Sequence, residues 1–350
     1  MGYVRLPTFL EQGYSALKRE VMDKGICSLC GTCAAFCDKI IIDTGKSGPK
    51  MPELAEDYDT VCGLCYTFCP KTFLPLSEIE RRLFGKEGED VLGVYRSYHA
   101  VRAKKKDIEG QDGGAVTSLL AYALETGVID SAVITTSDKS WKPITKVAKS
   151  YETLKEGAGT KYTLYPGVIG VKEALEDGCE KIGFVGLPCQ IQGLRKVQIA
   201  EQPYEVGKEK LKLLIGLFCM ENFNEDLLAF VNRKVPLEKV QKVDIKGKDF
   251  LVYDEVGNVH AIPLTEIKDY IGEGCSVCMD YTAELADISV GSVGTEDGWS
   301  TVFVRSERGE AVVKGAVENG YVEVAEIEAK GLELIRRLGK RKKSNAQEIG

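Results

Sequence analysis

Residues 181-KIGFVGLPCQIQGLRK-196 decide the fold. Residues 181–186 form a short apolar run with Ile, Phe and Val and end on a glycine, which reads as a buried strand. A helical stretch follows near 190–198. Cys189 sits between the two, beyond the carboxyl end of the strand, where ligands gather in open α/β sheets. The same texture repeats outward. Residues 131-SAVITT-136, 211-LKLLIGLF-218 and 287-DISVGSV-293 read as further strands. Helical periodicity is expected in 115-AVTSLLAYALETG-127, with Gly127 as its C-cap, and near 168–178 and 223–233. Strands alternating with helices predict an α/β domain with a mostly parallel, helix-covered sheet. Residues 241–263 predict a small antiparallel insertion.

The totals set bounds on this domain. A chain of 350 residues has room for one large domain and one small one. A formal charge of −7 argues against general nucleic-acid binding, which needs a basic face. No stretch approaches the length of a membrane span and no export signal is visible, so a cytoplasmic protein is expected. In such a setting the twelve cysteines point to metal or redox chemistry rather than disulfides. Eleven fall into spaced groups, while Cys179 stands alone and reads as a small core residue.

Residues 1–75 are cysteine-rich with little apolar periodicity, so bound clusters have to hold them together. Here 27-CSLCGTCAAFC-37 and 59-DTVCGLCYTFC-69 share a Cys-Gly-x-Cys-x-x-Phe-Cys frame, which predicts a duplicated, two-cluster ferredoxin-like domain. Cys27, Cys30, Cys33 and Cys37 keep the bacterial spacing C-x2-C-x2-C-x3-C. Three thiolates of such a run serve one four-iron cube and the fourth reaches a second. Cross-ligation assigns Cys27, Cys30, Cys33 and Cys69 to the first cluster, and Cys37, Cys62, Cys65 and position 59 to the second. That position holds Asp59 where a fourth cysteine is expected. Asp59 is either a hard oxygen ligand at one cube corner, with a three-iron cluster as the alternative, or an aspartate in a turn. Zinc competes as the metal, although zinc sites favour two separated C-x2-C pairs. Residues 76–95 read as a short helix and linker, and 336–350 as a basic tail with a solvated helix end.

Cys189, Cys219, Cys275 and Cys278 make a possible third thiolate set in the α/β part. Buried free cysteines or a zinc clamp are the alternatives on spacing alone. Residues 111-QDGGAVTSLLAYALETGVID-130, 158-AGTKYTLYP-166, 186-GLPCQIQGLRK-196, 211-LKLLIGLFCMENF-223 and 274-GCSVCMDYTAELADISVGSVGTEDGWSTV-302 carry a resemblance across roughly residues 95–340. The chain resembles the coenzyme F420 hydrogenase/dehydrogenase beta-subunit family. Its two-cluster amino-terminal module is similar to that of the formate dehydrogenase and F420H2 dehydrogenase members, enzymes of archaeal methanogenesis.

The resemblance implies FAD, one four-iron cluster in the large domain, and hydride exchange with the deazaflavin F420. It implies that Cys189, Cys219, Cys275 and Cys278 hold that cluster. It implies flavin-binding roles for Gly113, Gly114, Thr117, Thr160, Lys161, Tyr162, Glu221 and Asn222, and for Gly291, Ser292 and Gly294 through Trp299. The implied FAD- and F420-binding domain spans 96–335. Chemistry supports the combination, since F420 passes hydride while clusters take single electrons, and a flavin converts between the two. Locally, 112-DGGA-115 opens a helix, where free N–H groups favour a phosphate, although a plain turn before a helix fits the residues equally well. Hydride transfer depends on placing two rings face to face, so no catalytic acid or base is assigned, and His99 and His260 receive no role. The expected function is an F420-dependent oxidoreductase subunit that relays electrons through three iron–sulfur clusters. Its partner is expected to be a complex of the formate dehydrogenase, heterodisulfide reductase or F420H2 dehydrogenase type. The alternatives are a relay subunit without hydride chemistry and a flavin reductase using another hydride donor.

Overall fold

The computed structural model describes residues 12–45, 48–55, 62–88, 91–105, 107–108 and 110–347. Asp59, the expected ligand of the second cluster, lies outside the described residues. The described residues up to 75 form only short elements: α1 (Tyr14–Leu17) with a π turn (Lys18–Met22), α2 (Thr32–Ala35), the antiparallel pair β1 (Ile40–Ile41) and β2 (Glu53–Leu54), and α3 (Leu64–Phe68). Then α4 (Leu76–Phe84) leads into the large part, where the short helix of the linker was expected.

The large part runs β3 (Ser97–Ala103), α5 (Ala115–Glu125), β4 (Ser131–Ser137), β5 (Pro143–Ala148), α6 (Tyr151–Lys155), α7 (Ile169–Glu176), β6 (Ile182–Gly186), α8 (Pro188–Ile199), β7 (Leu211–Leu217) and α9 (Asp226–Lys234). It continues with β8 (Val240–Lys246), β9 (Asp249–Asp254), β10 (Val259–Pro263), α10 (Leu264–Ile267), β11 (Ile288–Gly291), β12 (Ser300–Val304), α11 (Glu307–Glu318), β13 (Val322–Ala325) and α12 (Ala329–Gln347). Eight strands make one sheet in the order β13-β3-β12-β11-β7-β6-β4-β5. The four strands expected from the sequence are its centre: β11, β7, β6 and β4 are mutually parallel. The pairings outside them are antiparallel. β8, β9 and β10 form the small antiparallel sheet, over residues 240–263.

Helices cover both faces. Leu119 and Leu120 of α5 and Val312 of α11 pack on one face, and Val171 of α7 with Ile191 and Leu194 of α8 on the other. The strand-to-helix turn at 186–190 is fixed locally. Pro188 takes the first helical position, where a missing N–H costs nothing, and the Gln190 side chain accepts the Leu187 N–H at 2.8 Å. Among the described residues no helix is long and apolar enough to cross a membrane.

The basic run at 336–343 is not a separate solvated tail. It lies inside α12, whose Leu332 and Ile335 pack on Leu92, Tyr281 and Phe303. That packing turns Lys342 inward to 4% exposure.

Two buried charges hold this architecture. Arg305 is 1% exposed and donates to Ser289 Oγ, to the Leu92, Val94 and Thr282 carbonyls, and to Thr282 Oγ1. It thereby clamps the linker before β3 to the end of β12. Replacing Arg305 with Met orphans those acceptors, and chemical denaturation is expected to show a loss of about 3–5 kcal/mol.

Asp287 meets Arg195 at 3.1 Å and also accepts from Ser306 Oγ and Leu214 N. Burial alone raises the pKa of its carboxyl, but Arg195, Ser306 and Leu214 outweigh that and hold it below the usual carboxylate range. Its contribution is therefore complete above the unfolded value near 3.9 and lost as pH falls through the lower folded value. In denaturation curves, the stability gap between wild type and Asp287→Asn is expected to be about 3–5 kcal/mol at pH 7. It narrows below pH ~4.

Candidate functional site

The thiols of the expected first set stand together. The loop before α2 carries Cys27 and Cys30, α2 carries Cys33, and Cys69 ends α3. Cys30 and Cys69 are within electrostatic reach of Cys27, and Cys30, Cys69 and Cys27 within reach of Cys33. All four line one cavity, together with Leu17 and Val21. Burial pushes the Cys27 thiol up to about 12 and Cys69 to about 11. Binding here must therefore displace protons from reluctant thiols, which iron does by taking the thiolate as a ligand.

Of the second set, Cys37 and Cys62 stand within electrostatic reach of Cys65. In the third, Cys189 begins α8 just past β6 and Cys219 follows β7, at the carboxyl ends of adjacent parallel strands. Cys275 and Cys278 stand within electrostatic reach of Cys219, and Cys278 and Cys219 within reach of Cys189.

None of the sets converges on one point. Among the described residues, no three His, Cys, Asp or Glu side chains come close enough to hold a single ion.

The first and third sets meet at a tight interface. Cys30 exerts the largest charge effect on Cys189. A Cβ on Gly274 would lie 2.5 Å from the Cys27 carbonyl oxygen, so only glycine allows this approach. Lys71 Nζ donates to Gly274 O at 2.7 Å, and Val168 N to Cys30 O at 3.2 Å. Gly31, at φ +89°, passes so close to Pro166 that a Cβ would sit 2.6 Å from its carbonyl oxygen.

Of the residues assigned to flavin by resemblance, one group converges. Thr160 N donates to Gln111 Oε1 at 3.2 Å, while Gln111 Nε2 reaches Val243 O at 3.1 Å and Lys242 Nζ reaches Gln111 O at 2.8 Å. Gln111 thus ties the turn before α5, the Thr160 segment and β8 together, a role the sequence reading did not give it. Asp244 and Asp112 both stand within electrostatic reach of Tyr162. Burial, then Asp244, raises the Asp112 carboxyl. Asp244 is 3% exposed, and its Oδ2 has no partner within the protein. Lys161 Nζ donates to the carbonyls of Gly157, Ala158 and Gly159 at 3.0, 2.8 and 3.0 Å, and burial lowers it to about 8.

Asn222 links this region to the third thiol set. Its carbonyl accepts from Gly272 N at 2.8 Å and from Cys275 Sγ at 3.7 Å. Phe223, next to it, donates its N–H to Tyr162 O at 2.9 Å. Glu221 is within electrostatic reach of Cys219.

The remaining candidates, Ser292 apart, sit in packed surroundings. A Cβ on Gly113 would meet Val101 O at 2.4 Å, and on Gly114, at φ +66°, the Ile108 side chain at 2.9 Å. Thr117 is buried on α5. Gly291 lies against the Phe218 ring and Gly294 against Ile335 of α12. Ser292 is exposed, and the Trp299 ring lies under the Arg102 guanidinium at 4.5 Å.

Comparison with known proteins places this geometry. Residues 98–171 match the amino-terminal part, and residues 179–330 the carboxyl-terminal part, of the family described as the beta subunit of coenzyme F420 hydrogenase/dehydrogenase. The coenzyme F420 hydrogenase beta subunit of Methanothermobacter thermautotrophicus is 44% identical over 266 residues, 73% of this chain and 94% of the relative. An F(420)H(2) dehydrogenase subunit of Methanosarcina mazei is 35% identical over 337 residues, 94% of this chain and 92% of the relative. A chain of the F420-reducing [NiFe] hydrogenase complex from Methanosarcina barkeri superposes with a TM-score of 0.72 at 39% identity, covering 75% of this chain and 93% of that one.

Proposed function

The chain belongs to the coenzyme F420 hydrogenase/dehydrogenase beta-subunit family of F420-dependent oxidoreductases, and on that premise we propose that it holds FAD in its α/β part, exchanges hydride with F420 there and relays single electrons through three iron–sulfur clusters to or from a partner complex. One observation carries the reading: the thiol sets form an unbroken series. Asn222 joins the candidate flavin region to Cys275. Cys189 faces Cys30. Cys69 and Cys65 in turn stand within reach of each other, joining the first set to the second. When bound, the flavin exchanges two-electron hydride for single electrons, which the clusters carry.

The chain's own residues bind and align. The first set of thiols fits a cluster because the four surround a cavity rather than a point. The Asp244 oxygen without a partner fits a ligand rich in hydroxyl donors, and Lys161 and Lys242 offer positive charge toward its phosphates. Tyr162, braced edge-on by Phe250 at 5.6 Å, supplies a rigid wall. The cluster assignments follow the three cysteine sets, with Asp59 as the proposed fourth ligand of the second. The partner is proposed to be a complex of the formate dehydrogenase, heterodisulfide reductase or F420H2 dehydrogenase type.

The test is anaerobic spectroscopy of the isolated chain with reduced F420. Flavin bleaching followed by cluster reduction is expected. Bleaching without cluster reduction refutes the relay, and a purified chain without flavin refutes the hydride chemistry. Asp244→Ala is expected to weaken flavin binding about tenfold or more, the worth of one hydrogen bond to a charged group. Fluorescence titration of the flavin-free chain measures it.

A further inference from the structure

Among the described residues, two ammonium groups are buried beside the thiols with no carboxylate at ion-pair distance. Lys196 of α8 is 1% exposed; its Nζ donates to Cys69 O at 2.6 Å, Thr72 Oγ1 at 2.7 Å and Phe73 O at 3.0 Å. The acidic groups that act on it are the thiols of Cys69 and Cys30. Lys342 of α12 is 4% exposed and donates to the Met220 carbonyl. The groups that act on it are the thiols of Cys278, Cys219 and Cys275, and after them Glu221. Its neighbour Lys343, by contrast, pairs with the Glu284 carboxylate at 2.9 Å. Among the described residues these two are the buried lysines, and they flank the first and third thiol sets.

Burying an ammonium against carbonyl dipoles alone costs several kcal/mol, because its hydration is lost and no counter-charge replaces it. Neutral thiols offer none. Thiolates gathered on an iron–sulfur cluster do. A fold that fully buries two ammoniums beside thiols is arranged for the charged, cluster-bound state. A fixed positive charge near a cluster also favours the added electron.

We propose that Lys196 and Lys342 are the built-in counter-cations of the first and third clusters, each raising the reduction potential of its own cluster. This rests on the reading that those thiols hold clusters. The second set has no such buried lysine among the described residues.

Potentiometric titration followed by electron paramagnetic resonance tests this, with the full chain loaded anaerobically with iron and sulfide. Lys342→Gln keeps a donor for the Met220 carbonyl and removes the charge. It is expected to lower the potential of one wave by at least a tenfold change in the reduction equilibrium, about 60 mV for one electron. Lys196→Gln is expected to lower a different wave, and Lys342→Arg to restore the first. The cluster-free Gln variants are expected to melt no lower than cluster-free wild type, because the ammoniums lack their counter-charge there. A variant that folds normally but fails to retain one cluster, with retention recovered in Lys342→Arg, supports the same assignment. Loaded variants whose waves all stay at wild-type potentials overturn it. So do two substitutions that move the same wave, or cluster-free variants that melt well below wild type, which mark the lysines as structural brackets. A wild-type chain that takes up no iron and sulfide refutes the cluster reading itself, separately from any effect of the lysines.

Discussion

Replacing Cys189 with alanine is expected to remove one cluster, about four irons per chain, and to cut reduction of a one-electron dye by reduced F420 at least about 100-fold. The position explains the size of the effect. Cys189 belongs to the third set and faces Cys30 of the first. Its loss therefore leaves one cluster a ligand short at the point where two sets meet. Disturbing even an outer partner of a metal ligand lowers affinity or activity 10- to 100-fold, and removal of a direct ligand sets that as the lower bound. Bleaching of the flavin is expected to survive, because the candidate flavin region does not include Cys189. Iron and sulfide analysis with stopped-flow absorbance separates the two steps. Cys179→Ala is the control. Cys179 packs with Ile182 and Phe184 in the core, away from the spaced groups, and its replacement is expected to leave iron content and dye reduction unchanged.

Chelating the iron is expected to release the amino-terminal layer while the large sheet stays folded. Limited proteolysis of the iron-free chain is expected to cut within the first 75 residues and spare the chain beyond 95. The layer's own core is small: Ala16, Leu17, Val21, Ala34, Ile40 and Tyr66, with Cys65 and Cys69 among them. Its helices are four or five residues long, below what an isolated helix needs. Structural metal binding is worth on the order of 10 kcal/mol in small domains of this kind. No rearrangement of so few apolar contacts replaces that. The large part buries separate cores on both sheet faces and depends on no cysteine cluster for them. Its melting temperature is expected to change little.

What the sequence disclosed rests on burial and spacing. The four central strands were legible because a parallel strand covered on both faces must be continuously apolar, as 211-LKLLIGL-217 is. The flanking strands were not. β5 begins with a proline and is half-exposed along much of its length, and β12 lay in a segment read for its family motif rather than its period. The thiol sets were legible because their cysteines recur at fixed local spacings. Gln111, Arg305, Lys196 and Lys342 were not, because each acts on partners more than 40 residues away. The tail misled for the same reason: 336-RRLGKRKK-343 is basic throughout, yet one face of α12 is covered and carries Lys342 inward. Gly113 and Gly294 show the converse, since dense packing against Val101 and Ile335 already accounts for a missing side chain at each.

The backbone-on-backbone fit of Gly274 to Cys27 and of Gly31 to Pro166 leaves no room for a hinge at those points. On the proposed relay, an electron crossing from the sheet domain to the amino-terminal layer is expected to wait for no swinging arm. Its transit is expected to be insensitive to solvent viscosity and to protein concentration, with any such sensitivity in the assembled enzyme arising at the meeting with the next protein.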